Sequence, residues 1–175
     1  GDFYRGYSDA ALDKIVRANR IDTFIVSLGI NDAMQRRTAN QMVGDFDVLL
    51  DRIKSSYQRV WNTTEQPYIL ILAPWHLRGV RFDPAIAAAM EGFETRLRDR
   101  CDGRIGLLSI EELHQRRFGD LDDASPATTD LVHPNKFGAN IIMRDAWDQI
   151  VQHAAPAGDL DLDGDVDAAD FGLLL

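Results

Sequence analysis

Cysteine is almost absent from this 175-residue chain: Cys101 stands alone, so no intrachain disulfide can form. A single thiol of this kind reads as a buried or half-buried inert side chain. No apolar run approaches the length of a transmembrane span. Positive charge is also scarce, with 19 Lys and Arg against 28 Asp and Glu and a net charge of −9. The shortage is uneven. Six Asp follow Ala157 without any Lys or Arg, which leaves −3 for all the rest of the chain. A mildly acidic body with scattered Arg argues against nucleic acid and anionic membrane surfaces as partners. The sequence has no initiating Met and is read as a piece of a larger protein. Its length fits one domain plus a little, and its 45% apolar content is ordinary for a globular chain.

What is present alternates between two periodicities. Ser8 can cap a helix carrying Leu12, Ile15 and Val16 on one face and ending near Asn19. Thr23 to Leu28 forms an apolar strand. A helix from about Asn40 to Tyr57 places Val43, Phe46, Leu50, Ile53 and Tyr57 on one stripe. Tyr68 to Ala73 is a second buried strand. Asp83-Pro84 reads as the cap and first residue of a helix burying Ile86, Met90, Phe93 and Leu97. A short strand over Ile105 to Leu108 meets the capping box Ser109-x-x-Glu112. Residues 119 to 132 read as a polar loop, and Asn135 opens a helix presenting Ala139, Ile142, Ala146, Trp147, Ile150 and Val151 to the core. Unbroken apolar strands separated by helices predict a parallel sheet covered on both faces. In such sheets, reactive groups gather beyond the carboxyl ends of the strands.

Two short motifs lie where that rule places chemistry. Gly29-Ile30-Asn31-Asp32 directly follows the first apolar strand. An Asn there suits a fixed amide donor aimed at a developing oxyanion. Asp130-Leu131-Val132-His133-Pro134-Asn135 leads into the last helix. An Asp three residues before a His suits a general base held by a carboxylate. Each motif alone also fits a plain turn or a helix cap, and it is their order and context that carry weight. Together they resemble the SGNH hydrolases, also called the GDSL esterase/lipase family.

That resemblance, covering roughly residues 1–153, implies a flavodoxin-like three-layer α/β sandwich with a parallel sheet. It implies Asn31 as an oxyanion donor and Asp130 and His133 as catalytic partners. Gly6, in Arg5-Gly6-Tyr7-Ser8, matches the family's second-block Gly, whose backbone N–H is another oxyanion donor. The match rests on the Gly, the hydroxyl residue two further on and the spacing to Asn31. The family's nucleophilic Ser stands in a Gly-Asp-Ser motif after the first strand, and this sequence has no such motif. That block is expected upstream of Gly6, and its missing central strand should leave a gap or distortion in the sheet. Ser8 sits in a segment loosely like the Gly-x-Ser-x-Gly elbow of another hydrolase fold, but too few residues precede Gly6 for the strand an elbow needs. Trp75, His76 and Met34, with Gln35 and Arg36, are the candidates for shaping the substrate pocket. His114 and His153 read as solvated helix-surface residues.

The tail carries a separate pattern. Asp159, Asp161, Asp163, Asp165, Asp167 and Asp170 occupy positions 1, 3, 5, 7, 9 and 12 of an EF-hand-like loop, with Gly164 at position 6 and Val166 at position 8. With Phe171 and Leu173 to Leu175 it resembles half of a dockerin-type calcium repeat, as found in secreted polysaccharide-degrading proteins. Residues 154–158 are the linker and 159–175 the partial repeat, in which Ca2+ would be structural; catalysis needs no cofactor. The expected function is an extracellular serine esterase acting on acyl esters, including those on carbohydrates, with a cohesin-like scaffold as partner through the tail. A non-catalytic binding domain of the same fold and a calcium-dependent assembly module are the alternatives.

Overall fold

The computed structural model describes residues 8–19, 23–76, 83–119, 125–130 and 132–154. Their element order is α1 (Asp9–Asn19), β1 (Thr23–Val26), α2 (Ile30–Met34), α3 (Ala39–Trp61), β2 (Tyr68–Ala73), α4 (Pro84–Arg98), β3 (Ile105–Ser109), α5 (Ile110–Phe118) and α6 (Lys136–Ala154). Gly6 and the six tail Asp lie outside the described residues.

The three strands form one parallel sheet in the order β1-β2-β3, with Thr23 opposite Tyr68 and Ile69 opposite Ile105. All six residues of β2 are buried, because helices cover both of its faces. Val26, Ile69 and Ile71 meet α3 and α4 on one face through Phe46, Ile53, Met90 and Phe93. Leu70, Leu72 and Leu108 meet α5 and α6 on the other through Leu113, Ile142 and Ala146. This is the flavodoxin-like three-layer α/β arrangement.

Local chemistry sets the helix ends. The Asp83 carboxylate accepts from the Ala85 N–H at 2.8 Å, with Pro84 following as the first helical residue. The predicted stripe of α3 is buried throughout, and the helix begins earlier than the sequence reading because Thr38 and Gln41 form a reciprocal capping box. Ser109 accepts from the Glu112 N–H at 3.1 Å, but the other half of that expected box is missing. The Glu112 carboxylate is instead held by Arg98 at 2.6 Å.

Cys101, an exposed residue on the turn after α4, keeps its thiol half-buried as expected, donating to the Leu97 carbonyl at 3.7 Å. Two side chains sit otherwise than expected. Trp147 is 60% exposed, since it stands about 100° round the helix from buried Ala146. His114 is 3% exposed rather than solvated, for Ile110, Leu113 and His114 share the inward i, i+3, i+4 face of α5.

Strand β1 is shorter than predicted and occupies an edge. Ile25 is 41% exposed on it. Two apolar hollows flank β1. One, of about 300 Å³, lies among Leu12, Ile15, Phe24, Ile25, Leu49 and Ile53. The other, of about 310 Å³, reaches from Ser27 and Ile30 to α6. Among the described residues β1 pairs with β2 alone, at one end of the strand order.

Candidate active site

Gly29 creates the bend that presents Asn31. Its φ of 115° lies in the left-handed region, which suits Gly far better than any residue with a side chain. The chain then turns directly into α2, so that Asn31 stands exposed in the first turn of that short helix. Asp32 points the other way. It is 5% exposed and paired with Arg37 at 3.0 Å, so its role is to fasten the turn.

The second motif is a tightly knit loop. Asn135 donates its side-chain amide to the Pro126 carbonyl at 2.8 Å and accepts from the Gly138 N–H at 3.0 Å, capping α6. Gly138 is required here, because a β-carbon would stand 2.1 Å from the Ala127 carbonyl oxygen. Within this frame Asp130 accepts three hydrogen bonds. One oxygen takes the backbone N–H groups of His133 at 2.7 Å and Val132 at 3.0 Å. The other takes the His133 Nδ1–H at 2.8 Å. The imidazole bond, and then the two backbone donors, hold the Asp130 carboxyl well below the ordinary carboxylate range. With Nδ1 donating to a carboxylate, Nε2 presents its lone pair, the arrangement of a base ready to accept a proton. This tautomer follows from the bonding pattern.

His133 faces the cavity of about 310 Å³, whose wall also includes Ser27, Ile30, Trp75, Ile142 and Met143. The same hollow therefore joins the catalytic His candidate to the residue preceding Asn31. Ser27 and Met143 are not singled out by the sequence, and Ile142 reads there only as a core residue. Their apolar or unremarkable surroundings give no local signal, and only the sheet and α6 bring them to His133.

The remaining candidates divide. Trp75 is 3% exposed, walls the cavity and donates its indole N–H to the Val132 carbonyl at 3.0 Å. His76 is 7% exposed and is not among the cavity-lining residues. Its Nε2 meets Glu94 at 2.8 Å, and its backbone N–H donates to Glu111 at 3.1 Å. Burial tends to raise the Glu94 carboxyl, but hydrogen bonds from His76, Ser109 and Arg98 outweigh it and hold it below its usual value. Met34 is 46% exposed at the end of α2. Arg36, with a φ of 62°, pairs with Asp83. Among the described residues no cluster of three or more His, Cys, Asp or Glu could hold a metal, and no helix is long and apolar enough to cross a membrane.

Comparison with known proteins adds one structure. No family model and no curated protein matches the chain. The crystal structure of a carbohydrate esterase family 3 protein from Talaromyces cellulolyticus matches with a TM-score of 0.53 and 17% identity. The match covers 86% of this chain and 65% of that one, and it establishes likeness of fold.

Proposed function

We propose that the protein is a serine esterase of the SGNH type that cleaves acyl esters, with acylated carbohydrates as the substrate class. The observation that carries this reading is the Asp130–His133 pair at 2.8 Å, set on a cavity that reaches the residue next to Asn31. The carbohydrate preference draws on the named activity of the structural neighbour and on the dockerin-like tail.

The nucleophile is a Ser carried on a strand outside this sequence, seated along the open edge of β1. In the first half-reaction the Ser Oγ bonds to the ester carbonyl carbon while its proton passes to His133 Nε2. Asp130 keeps the ring oriented and supports the positive charge it gains. The Asn31 amide and the Gly6 N–H donate to the oxyanion. Collapse breaks the bond to the alkoxy oxygen, which leaves as alcohol with the proton from His133. Water then repeats the sequence on the acyl-Ser, giving its proton to His133 and releasing the acid and the free Ser. The six tail Asp bind Ca2+ as part of a module that docks the secreted enzyme to a scaffold.

A fluorophosphonate, which labels activated Ser, tests the reading. The full-length protein should be labelled at a Ser upstream of Gly1, and His133→Ala should abolish the labelling. Absence of labelling in the folded full-length protein would make the chain a binding domain.

A further inference from the structure

The loop that bears Asp130 and His133 is fastened to the rest of the fold by two aromatic rings that the proposed chemistry does not use. Trp75, just beyond β2, donates its indole N–H to the carbonyl of Val132, the residue before His133, at 3.0 Å. His114, on α5, holds the other end of the loop. Its Nδ1 lies 3.0 Å from the Gly119 carbonyl, which can only accept, so Nδ1 carries the hydrogen. Its Nε2 then accepts from the Ser125 hydroxyl at 2.6 Å, and that hydroxyl accepts the Ala127 N–H at 3.0 Å. The two rings meet edge to face, with centroids 5.7 Å apart at 76°.

The loop is knit together by its backbone bonds, but the side chains of the base and its partner are open to solvent. The His133 side chain is 75% exposed and that of Asp130 52%. A side-chain hydrogen bond so open to water fixes the ring weakly, because solvent competes for both partners. The bonds on either side, part-buried and made from the buried rings of Trp75 and His114, are less open to that competition.

We infer that Trp75 is a positioning residue, fixing the direction of His133 Nε2 through the Val132 carbonyl, with His114 seating the indole and the entry of the loop. This rests on His133 being the base. It also assigns Trp75 a role distinct from substrate contact, since its one polar group is already taken. Losing the N–H while keeping the ring's bulk leaves the half-buried Val132 carbonyl without its donor. The carbonyl then turns toward water and swings the adjoining His133 peptide. The Nδ1–H bond to Asp130 loses its alignment.

The test replaces the Trp75 indole with its benzothiophene isostere, which has the same shape and no N–H, alongside Trp75→Phe. Long-range nitrogen–proton spectra of the His133 ring, recorded on this chain in mildly alkaline buffer, report the tautomer. The native chain should show the Nδ1–H form that Asp130 selects. Both variants should shift toward the Nε2–H form that an exposed imidazole ordinarily prefers, while thermal midpoint and core amide spectra change little in the isostere. In the full-length enzyme the isostere should lower kcat roughly tenfold or more at nearly constant KM, as misplacement of a reacting group does. An unchanged tautomer in the folded isostere would overturn the inference. A shifted tautomer in a protein without esterase activity would leave the clamp standing and refute the catalytic reading instead.

Discussion

Gly29 lies so close against Phe93 that a β-carbon on it would stand 2.6 Å from the ring. Phe93 is fully buried and packs edge to face on Phe46, so it has little room to retreat. The bend that presents Asn31 is therefore built into the core between β1 and α4. Gly29→Ala should cost about 3 kcal/mol, combining an unfavourable left-handed backbone with overpacking. Urea unfolding of the two proteins measures this, and a loss within 0.5 kcal/mol, the usual scatter of surface changes, would contradict the packing argument.

Acid should loosen α1 from α3. Asp13 accepts from the Arg59 guanidinium and the Ser56 hydroxyl, at 2.6 Å in each shortest case. The Arg59 hydrogen bond first, then that of Ser56, lowers the Asp13 carboxyl to about 2, against a small opposing effect of burial. A depressed carboxyl stabilises the folded state above its unfolded value of 3.8, and that contribution disappears as pH falls through about 2. Amide exchange in α1 should accelerate across this window in the native chain. In Asp13→Asn it should already be fast at neutral pH and lack the acid step.

Much of the architecture is legible in the sequence where one periodicity meets one environment. The unbroken apolar run of β2 announces burial on both faces, and Asp83-Pro84 marks the start of α4 because cap and φ preference coincide. The Asp130–His133 pair is legible for the same reason: three-residue spacing and a following helix leave few geometries. The rest depends on neighbours distant in the chain. Ile25 reads like any core strand residue, and its exposure follows from its place on an edge strand. His114 looks polar and therefore superficial, yet its helix position and two hydrogen-bond partners bury it. The indole bond from Trp75 to Val132 spans 57 residues and has no local signature at either end.

Asn31→Ala separates oxyanion stabilisation from binding. If Asn31 has the proposed oxyanion role, the substitution should lower kcat of the full-length protein roughly 10²–10³-fold with little change in KM, since such a donor acts mainly in the transition state. Steady-state kinetics on an aryl acetate supplies both parameters. A rise in KM alone would remove Asn31 from the oxyanion role.

The tail should bind Ca2+ in preference to Mg2+, because six Asp at the ligand spacing of an EF-hand-like loop suit the larger ion. Calorimetric titration of the complete tail module should give strong heats with Ca2+ and weak ones with Mg2+. Equal Ca2+ heats for the native module and an Asp159→Ala/Asp170→Ala double variant would dismiss the site and the docking role built on it.

The central claim is that His133, held by Asp130, is the base of an ester-cleaving Ser. Its most direct test is kcat for aryl acetate hydrolysis by the full-length protein and its His133→Ala variant. A loss of several orders of magnitude in the folded variant is predicted, as removal of a triad base produces. Equal kcat in the two proteins would contradict the account.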